Sequence, residues 1–330
     1  MVRSLDEGTF GRVWECLDQK ADEKKCTPAR VAIKLLKPSS VVLEQSEFEL
    51  EILQSLQPIA DQGHMVRLLD HFMYKEKTPC YVFEYFPTSL ASVLSPKTKT
   101  SETKPIPINL IVSFTHQILL ALLYLGVQPR GGVIHGDLKP GNIMIGPSTS
   151  ETDPTDQIKL IDFGSSHWGD GGRYDYYQSR WYRSPDIILG RRYGCGIDMW
   201  SLGCVVMEMI TGQVLFPGDH ETEMIERQVA ILGLPSAHVI NSGRFSSKYF
   251  NLSQTGLPLE ASKSSPNTLH TLIYEHLPAL GQIEKIHLLS LVSSMLEWDD
   301  QIRIKPLNAL CHPLFTYYVE TNKRFDFNLL

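Results

Sequence analysis

The stretch that most constrains this chain is Ile134-His135-Gly136-Asp137-Leu138-Lys139-Pro140-Gly141-Asn142-Ile143-Met144-Ile145, followed by Lys159-Leu160-Ile161-Asp162-Phe163-Gly164. The first segment sets a carboxylate, a lysine and an amide oxygen in quick succession between apolar runs. The second is an apolar strand ending in a carboxylate, with Gly164 permitting the turn beyond it. Asp137 is therefore a candidate acceptor for a hydroxyl proton, and Lys139 a cation able to offset developing charge. Asn142 and Asp162 offer the oxygen ligands a hard divalent cation takes, and Mg²⁺ generally uses only one or two protein carboxylates.

Two segments upstream complete the set. In Gly8-Thr9-Phe10-Gly11-Arg12-Val13 the glycines are spaced to let a hairpin backbone approach phosphates, with Val13 covering a flat ring. Val31-Ala32-Ile33-Lys34 reads as a strand placing one lysine among apolar residues, and Glu49, on the next helix, is its available partner. Such a pair would hold the ammonium against nucleotide phosphates. The glycine-rich segment alone is weak and the Ile134–Ile145 segment decisive; all of them in this order leave little room for coincidence.

On these residues the chain resembles the eukaryotic protein kinases over essentially its whole length. Within them it is most similar to the dual-specificity tyrosine-regulated and homeodomain-interacting kinases. That narrower likeness rests on Ile161-Asp162-Phe163-Gly164-Ser165-Ser166, Tyr174-Asp175-Tyr176-Tyr177-Gln178-Ser179-Arg180-Trp181-Tyr182-Arg183-Ser184-Pro185 and Asp198-Met199-Trp200-Ser201-Leu202-Gly203. The resemblance implies an α+β, bilobal fold with a small β-rich lobe over 1–84, a hinge at 85–90 and a larger helical lobe over 91–330. It also implies transfer of the ATP γ-phosphate to serine and threonine, with sites followed by proline and often preceded by a basic residue. ATP, Mg²⁺ and protein substrates are the implied ligands and partners.

Further assignments follow from the same resemblance. Phe83 would guard the back of the nucleotide pocket, with Glu84 and Phe86 in the segment touching adenine. Val13 and Ala32 would roof the ring, and Met144 and Ile161 would lie beneath. Tyr176 matches a tyrosine such kinases phosphorylate on themselves, and Arg180 or Arg183 would pair with its phosphate. Asp198 is expected to cap the Asp137 loop from below, and Arg303 to pair with Asp186. The chain also departs from the pattern. Asp6 stands at the first glycine position, Gly136 where arginine is usual, Gly141 where glutamate is common, and Asp186 carries a shortened carboxylate. The incomplete glycine loop leaves one alternative, a binding scaffold of the same fold without phosphoryl transfer.

Other function classes find little support. A net charge of −6 over 330 residues gives no basis for sequence-independent nucleic-acid binding. The cysteines (Cys16, Cys26, Cys80, Cys195, Cys204 and Cys311) are scattered without a C-x-x-C pair, as expected of free thiols inside the cell, in cytoplasm or nucleus. No H-E-x-x-H or G-x-S-x-G occurs. No apolar run approaches the ~18 residues of a membrane span, and 118–125 reads as a buried helix segment.

Along the chain, strands are expected at 12–16, 30–36, 65–74 and 80–83, with a helix at 44–56 burying Phe48, Ile52 and Leu53. A second helix is expected from a cap at Asn109 to a stop at Gly126, and a third at 198–211 ending on Gly212. Surface connections are expected at 95–107 and 146–157, and an insertion on the helical scaffold at about 236–278.

Overall fold

The computed structural model describes residues 1–7, 11–19, 29–37, 39–75, 77–94, 106–146, 157–170, 177–251 and 268–321. Gly8 and Tyr176 fall outside these residues, as do most of the two expected connections and the centre of the expected insertion.

The strands β1 (Arg3–Glu7), β2 (Gly11–Asp18) and β3 (Ala29–Leu36) lead into helix α1 (Ser40–Leu56), followed by β4 (Leu68–Tyr74) and β5 (Thr78–Glu84). They form one five-stranded antiparallel sheet in the order β1-β2-β3-β5-β4. Residues two apart on a strand share a face, as do directly opposed residues on neighbouring strands. Val13 lies opposite Lys34, and Ala32 opposite Phe83, so one face of the sheet carries all of these positions. Asp6 does not interrupt β1: it pairs with Val13 beside a register shift between Ser4 and Asp6.

Helix α1 starts four residues before the expected position, because the Ser39 hydroxyl accepts from the Val42 N–H at 3.3 Å and caps it. Its buried stripe is Glu49, Ile52, Leu53 and Leu56, spaced i, i+3, i+4, i+7. Phe48, expected on that face, is 53% exposed. The stripe that buries Ile52 and Leu53 also turns Glu49 inward, and Phe48 is carried outward with the opposite side.

The short β6 (Thr88–Ser89) and α2 (Leu90–Leu94) lead to α3 (Ile108–Gly126), β7 (Val133–Ile134), β8 (Ile143–Gly146), β9 (Gln157–Leu160) and β10 (His167–Trp168). Strands β6, β8 and β9 form a three-stranded sheet, and β10 pairs with β7. Then come α4 (Pro185–Ile188), α5 (Gly196–Thr211), α6 (Glu221–Leu232), α7 (Ala237–Ser242), α8 (Leu269–His276), α9 (Gln282–Met295), α10 (Pro306–Leu310) and α11 (Pro313–Thr321). This is the expected mixed architecture: a sheet with one long helix, then a helical body.

Asn109 is not the cap of α3. The helix begins at Ile108 directly after Pro107, whose fixed φ of −56° leads into the first turn without a side-chain cap. By length and apolar composition α3 could cross a membrane, contrary to the expectation that no segment approaches this, yet 67% of its apolar window is buried inside the fold. Ile111, Ile118, Leu119 and Ala121 are fully covered, so the helix's apolarity is spent on the core. Helix α5 packs against it and is buried from Ile197 to Ile210; Gly212 closes it in the left-handed region at φ 70°.

Candidate active site

Strand β3 and helix α1 bring Lys34 and Glu49 together, and the turn after β9 adds Asp162. The Lys34 ammonium is 2.6 Å from Glu49 Oε1 and 2.9 Å from Asp162 Oδ1. Lys34 is 8% and Glu49 3% exposed, while the Asp162 side chain remains 39% exposed. The ammonium is thus the buried end of the group and Asp162 its open end. Lys34 holds the Asp162 carboxyl down at about 2, against the opposing effect of burial. Burial works against the charge on Lys34, but Asp162 and Glu49 outweigh it and raise its pKa.

Asp162 lies in the left-handed region at φ 62° and accepts from the Gly164 N–H at 3.4 Å. The tight step of the turn is therefore at Asp162 and not at Gly164, as the sequence had suggested. Gly164 sits in a tight space: a Cβ there would lie 3.1 Å from both Asp162 Oδ1 and Lys34 Nζ. The Gly164 carbonyl accepts from Gln45 Nε2 at 2.7 Å, tying helix α1 to this turn. Phe163 is 1% exposed and packs against the His135 ring at 5.1 Å.

The loop between β7 and β8 carries the second half. Asp198, fully buried at the start of α5, accepts from the His135 N–H at 2.8 Å and the Gly136 N–H at 3.0 Å, as expected. His135 Nδ1 accepts from the Asp137 N–H at 3.2 Å, which places the ring proton on Nε2, 3.1 Å from the Ile161 carbonyl. The loop's backbone is thereby fixed from two sides. Asp137 Oδ2 accepts from Lys139 Nζ at 2.7 Å and from Asn142 Nδ2 at 3.1 Å. Asn142 Nδ2 also donates to the Asp137 carbonyl at 2.8 Å, so both of these contacts use the amide nitrogen and neither uses the amide oxygen.

Ser179 was not singled out by sequence, yet its hydroxyl donates to Asp137 Oδ1 at 2.6 Å and accepts from Lys139 Nζ at 3.0 Å. Its place in the 174–185 stretch gives no sign of this contact across 42 positions. Beside it lies a cavity of about 420 Å³ lined by Lys139, Gly141, Trp181, Tyr182, Glu208 and Asp219, among others. Tyr182 donates to Glu208 Oε2 at 2.6 Å.

Other expected positions are distributed as follows. Gly11 heads β2, and a Cβ on it would meet the Leu35 carbonyl, so this glycine serves close strand approach. Val13, Ala32 and Phe83 share the sheet face that carries Lys34. Met144 lies on β8 opposite Lys159, and Ile161 donates its N–H to the Asn142 carbonyl at 3.0 Å. Phe86 lies against Gly146, whose added Cβ would be 3.2 Å from its ring. The Glu84 carboxylate accepts from the Arg67 N–H at 2.9 Å, so its side chain is committed to the fold. Arg303 meets Asp186 at 2.7 Å, as expected, and Arg191 adds a second contact at 3.0 Å. Arg183 is 1% exposed and bound to Glu221 at 2.9 Å and to the Gln178 carbonyl. Arg180 donates to the Asp219 carbonyl.

Comparison with known proteins agrees with this geometry. A family model described as "Protein kinase domain" matches residues 1–315. The chain is 39% identical over 254 residues to the serine/threonine-protein kinase ppk15 of Schizosaccharomyces pombe, covering 76% of this chain and 44% of that protein. It is 34% identical over 325 residues to the DYRK-family kinase pom1 of the same yeast, covering 96% and 27% respectively. To the dual specificity tyrosine-phosphorylation-regulated kinase 2 of Drosophila melanogaster it is 33% identical over 315 residues, covering 94% and 40%. The chain thus spans less than half the length of each of these relatives. With the family model matching nearly end to end, the chain belongs to the protein kinase domain family, with DYRK-family kinases among its relatives.

Proposed function

We propose that this chain transfers the γ-phosphate of ATP to serine and threonine hydroxyls of proteins. The observation that carries this reading is the assembled pair of clusters: Lys34 bridging Glu49 and Asp162, and Asp137 with Lys139 and Asn142 on the adjoining loop. Phosphoryl transfer asks mainly for positioning and charge stabilisation. In this reading Asp137 takes the acceptor's proton and Lys139 offsets charge on the transferred group. Lys34, held by Glu49, binds phosphate oxygens, and Val13, Ala32, Met144 and Ile161 enclose the adenine next to Phe83, Glu84 and Phe86. Gly8 and Gly11 belong to the loop over the phosphates.

Magnesium fits the donors present. Asn142 contributes an amide oxygen and Asp162 a carboxylate, the hard oxygen set this ion accepts beside phosphates. Among the described residues no cluster of His, Cys, Asp and Glu suits a softer metal. When bound, Mg²⁺ would neutralise phosphate charge. The chain's own part is to hold Asn142 and Asp162 in place through Asp137 and Lys34.

Proline after the acceptor and a basic residue before it are the preferences we carry to this chain. Trp181 and Tyr182 provide apolar wall in the cavity beside Lys139, while Glu208 and Asp219 provide acid. Self-phosphorylation of Tyr176 is a further part of the reading, and a phosphopeptide map lacking that site would remove it. We place the protein inside the cell, in cytoplasm or nucleus; the described cysteines are free thiols, in keeping with a reducing compartment.

The test is transfer of labelled phosphate from Mg-ATP to a basic protein substrate, with Asp137→Asn alongside. Transfer by the wild type and a loss of about 10³-fold or more in the variant are expected, since the base is removed. Nucleotide binding without transfer by the wild type would instead identify a scaffold.

A further inference from the structure

Gly136, immediately before Asp137, is in the left-handed region at φ 74°, and the ring of Tyr177 occupies the place of its missing side chain. A Cβ at Gly136 would lie 1.6 Å from the Tyr177 hydroxyl oxygen and 2.1 Å from Cζ. Any larger residue at 136 and a tyrosine in this position are mutually exclusive. The Tyr177 hydroxyl donates to the Ser165 carbonyl at 2.5 Å. Its single proton being used there, His167 Nδ1 is the donor in the 2.9 Å contact with the same oxygen. The Tyr177 ring stacks on Tyr193 with centroids 6.1 Å apart and meets the His167 ring edge-on at 5.0 Å. The two tyrosine rings pack on Ile134, Ile187 and Ile197.

The next residues are held as firmly. Gln178 is in the left-handed region at φ 64°, and its amide donates to the Ile197 carbonyl and to the Ser201 hydroxyl. Its side-chain oxygen accepts from the Ser184 N–H at 2.9 Å. Ser179 follows, with its N–H and hydroxyl both on Asp137 Oδ1, at 3.2 and 2.6 Å. Fixing Tyr177 therefore fixes where Ser179 presents its two donors to the candidate base.

We propose that Tyr177 is a positioning residue for phosphoryl transfer. Seated on Gly136, its unmodified hydroxyl joins Ser165 and His167 to the 177–179 stretch, so Ser179 orients Asp137 by contacts the chain supplies itself. Gly136 is the counterpart that makes room. The hydroxyl is turned into the fold and bonded, which suits a tether and not a phosphate acceptor. This role rests on the phosphotransfer reading above and adds to it a residue to which the sequence assigned no part in the transfer.

The test uses the full chain and steady-state transfer to a basic protein substrate. Tyr177→Phe keeps the ring and removes the tether. The expected result is a kcat about fivefold to tenfold lower, the size of one net hydrogen bond, with KM for ATP within about twofold. A kcat within twofold of wild type, or a loss confined to KM for ATP, overturns the role. Phosphate found on Tyr177 in active enzyme overturns it as well. If Tyr177→Phe also lowers the melting temperature, the cycle of Gly136→Ala, Tyr177→Ala and the double variant decides. Relief of the collision makes the double variant retain more activity than the product of the single losses; independent effects overturn the pairing. Wild-type protein that transfers no phosphate removes the phosphotransfer reading itself and this role with it, an outcome distinct from a Tyr177→Phe variant as active as the wild type.

Discussion

Gly164 and Asp162 show how single residues divide work that the sequence assigns to one of them. The motif suggests that the glycine makes the turn, but the left-handed φ belongs to Asp162, and the glycine's contribution is an empty volume beside the Lys34 ammonium. Burial acts at the same scale on histidine. His116 is 4% exposed and edge-on to Phe315, and burial lowers its pKa to about 4 from 6.5. An unfolded chain protonates this imidazole near pH 6.5, whereas the folded one resists until about pH 4. The unfolded state therefore binds the proton first, and this contribution to stability declines as pH falls from about 6.5 to about 4. His116→Gln is expected to flatten the pH dependence, by about 2 kcal/mol between pH 7 and pH 5. Urea unfolding of both proteins at the two pH values checks this; parallel curves would remove His116 as the cause.

At the scale of elements, helix α1 holds Glu49 against the Lys34 ammonium. Gln45 fastens it to the Gly164 carbonyl, and Glu51 accepts from Trp168 Nε1 at 3.2 Å and meets Arg130 at 3.3 Å. The helix is thereby tied to the turn after β9 and to strand β10 within one chain. Its start depends on the Ser39 cap. Ser39→Ala is expected to lower stability by about 1 kcal/mol, read by chemical denaturation. Transfer activity should fall much less than in Asp137→Asn, because Gln45 and Glu51 still hold the rest of the helix; a comparable loss would show that the cap sets the position of Glu49.

For the whole molecule, the joint between the Asp137 half of the site and the helical body is a buried charge network. Asp186 is fully buried between Arg303 and Arg191, and Arg303 also donates to the Glu297 and Gly196 carbonyls at 2.9 Å. The short carboxylate that marked a departure in sequence is met by two guanidinium groups. Removing one partner of a buried pair leaves charge without compensation. Arg303→Met is expected to destabilise the protein by about 3–5 kcal/mol in thermal or urea unfolding. A change below about 1 kcal/mol would mean that Arg191 alone satisfies Asp186.

The fold class and most of the candidate site were legible in the residues, because each motif is local. Asp137, Lys139 and Asn142 lie within one loop, and β3, the helix expected at 198–211 and its Gly212 stop follow from periodicity and turn chemistry. Chain order could also name Glu49 as the partner of Lys34, while the pairing of Arg303 with Asp186 came from the family resemblance. Features that depend on which distant surfaces meet were not legible. Phe48 was placed inside because periodicity cannot tell which of two overlapping stripes the sheet will cover. Asn109 is of a type that favours a cap, but Pro107 decides the start. The contacts of Ser179, Gln45 and Tyr177 could not be read from any segment, since they exist only once residues far apart in sequence are packed together. Local chemistry thus determined what the site contains. Tertiary packing decided how it is held, as in the contact of Lys34 with Asp162 across 128 positions, because the energy of such a pair depends on a burial and distance that no single segment possesses.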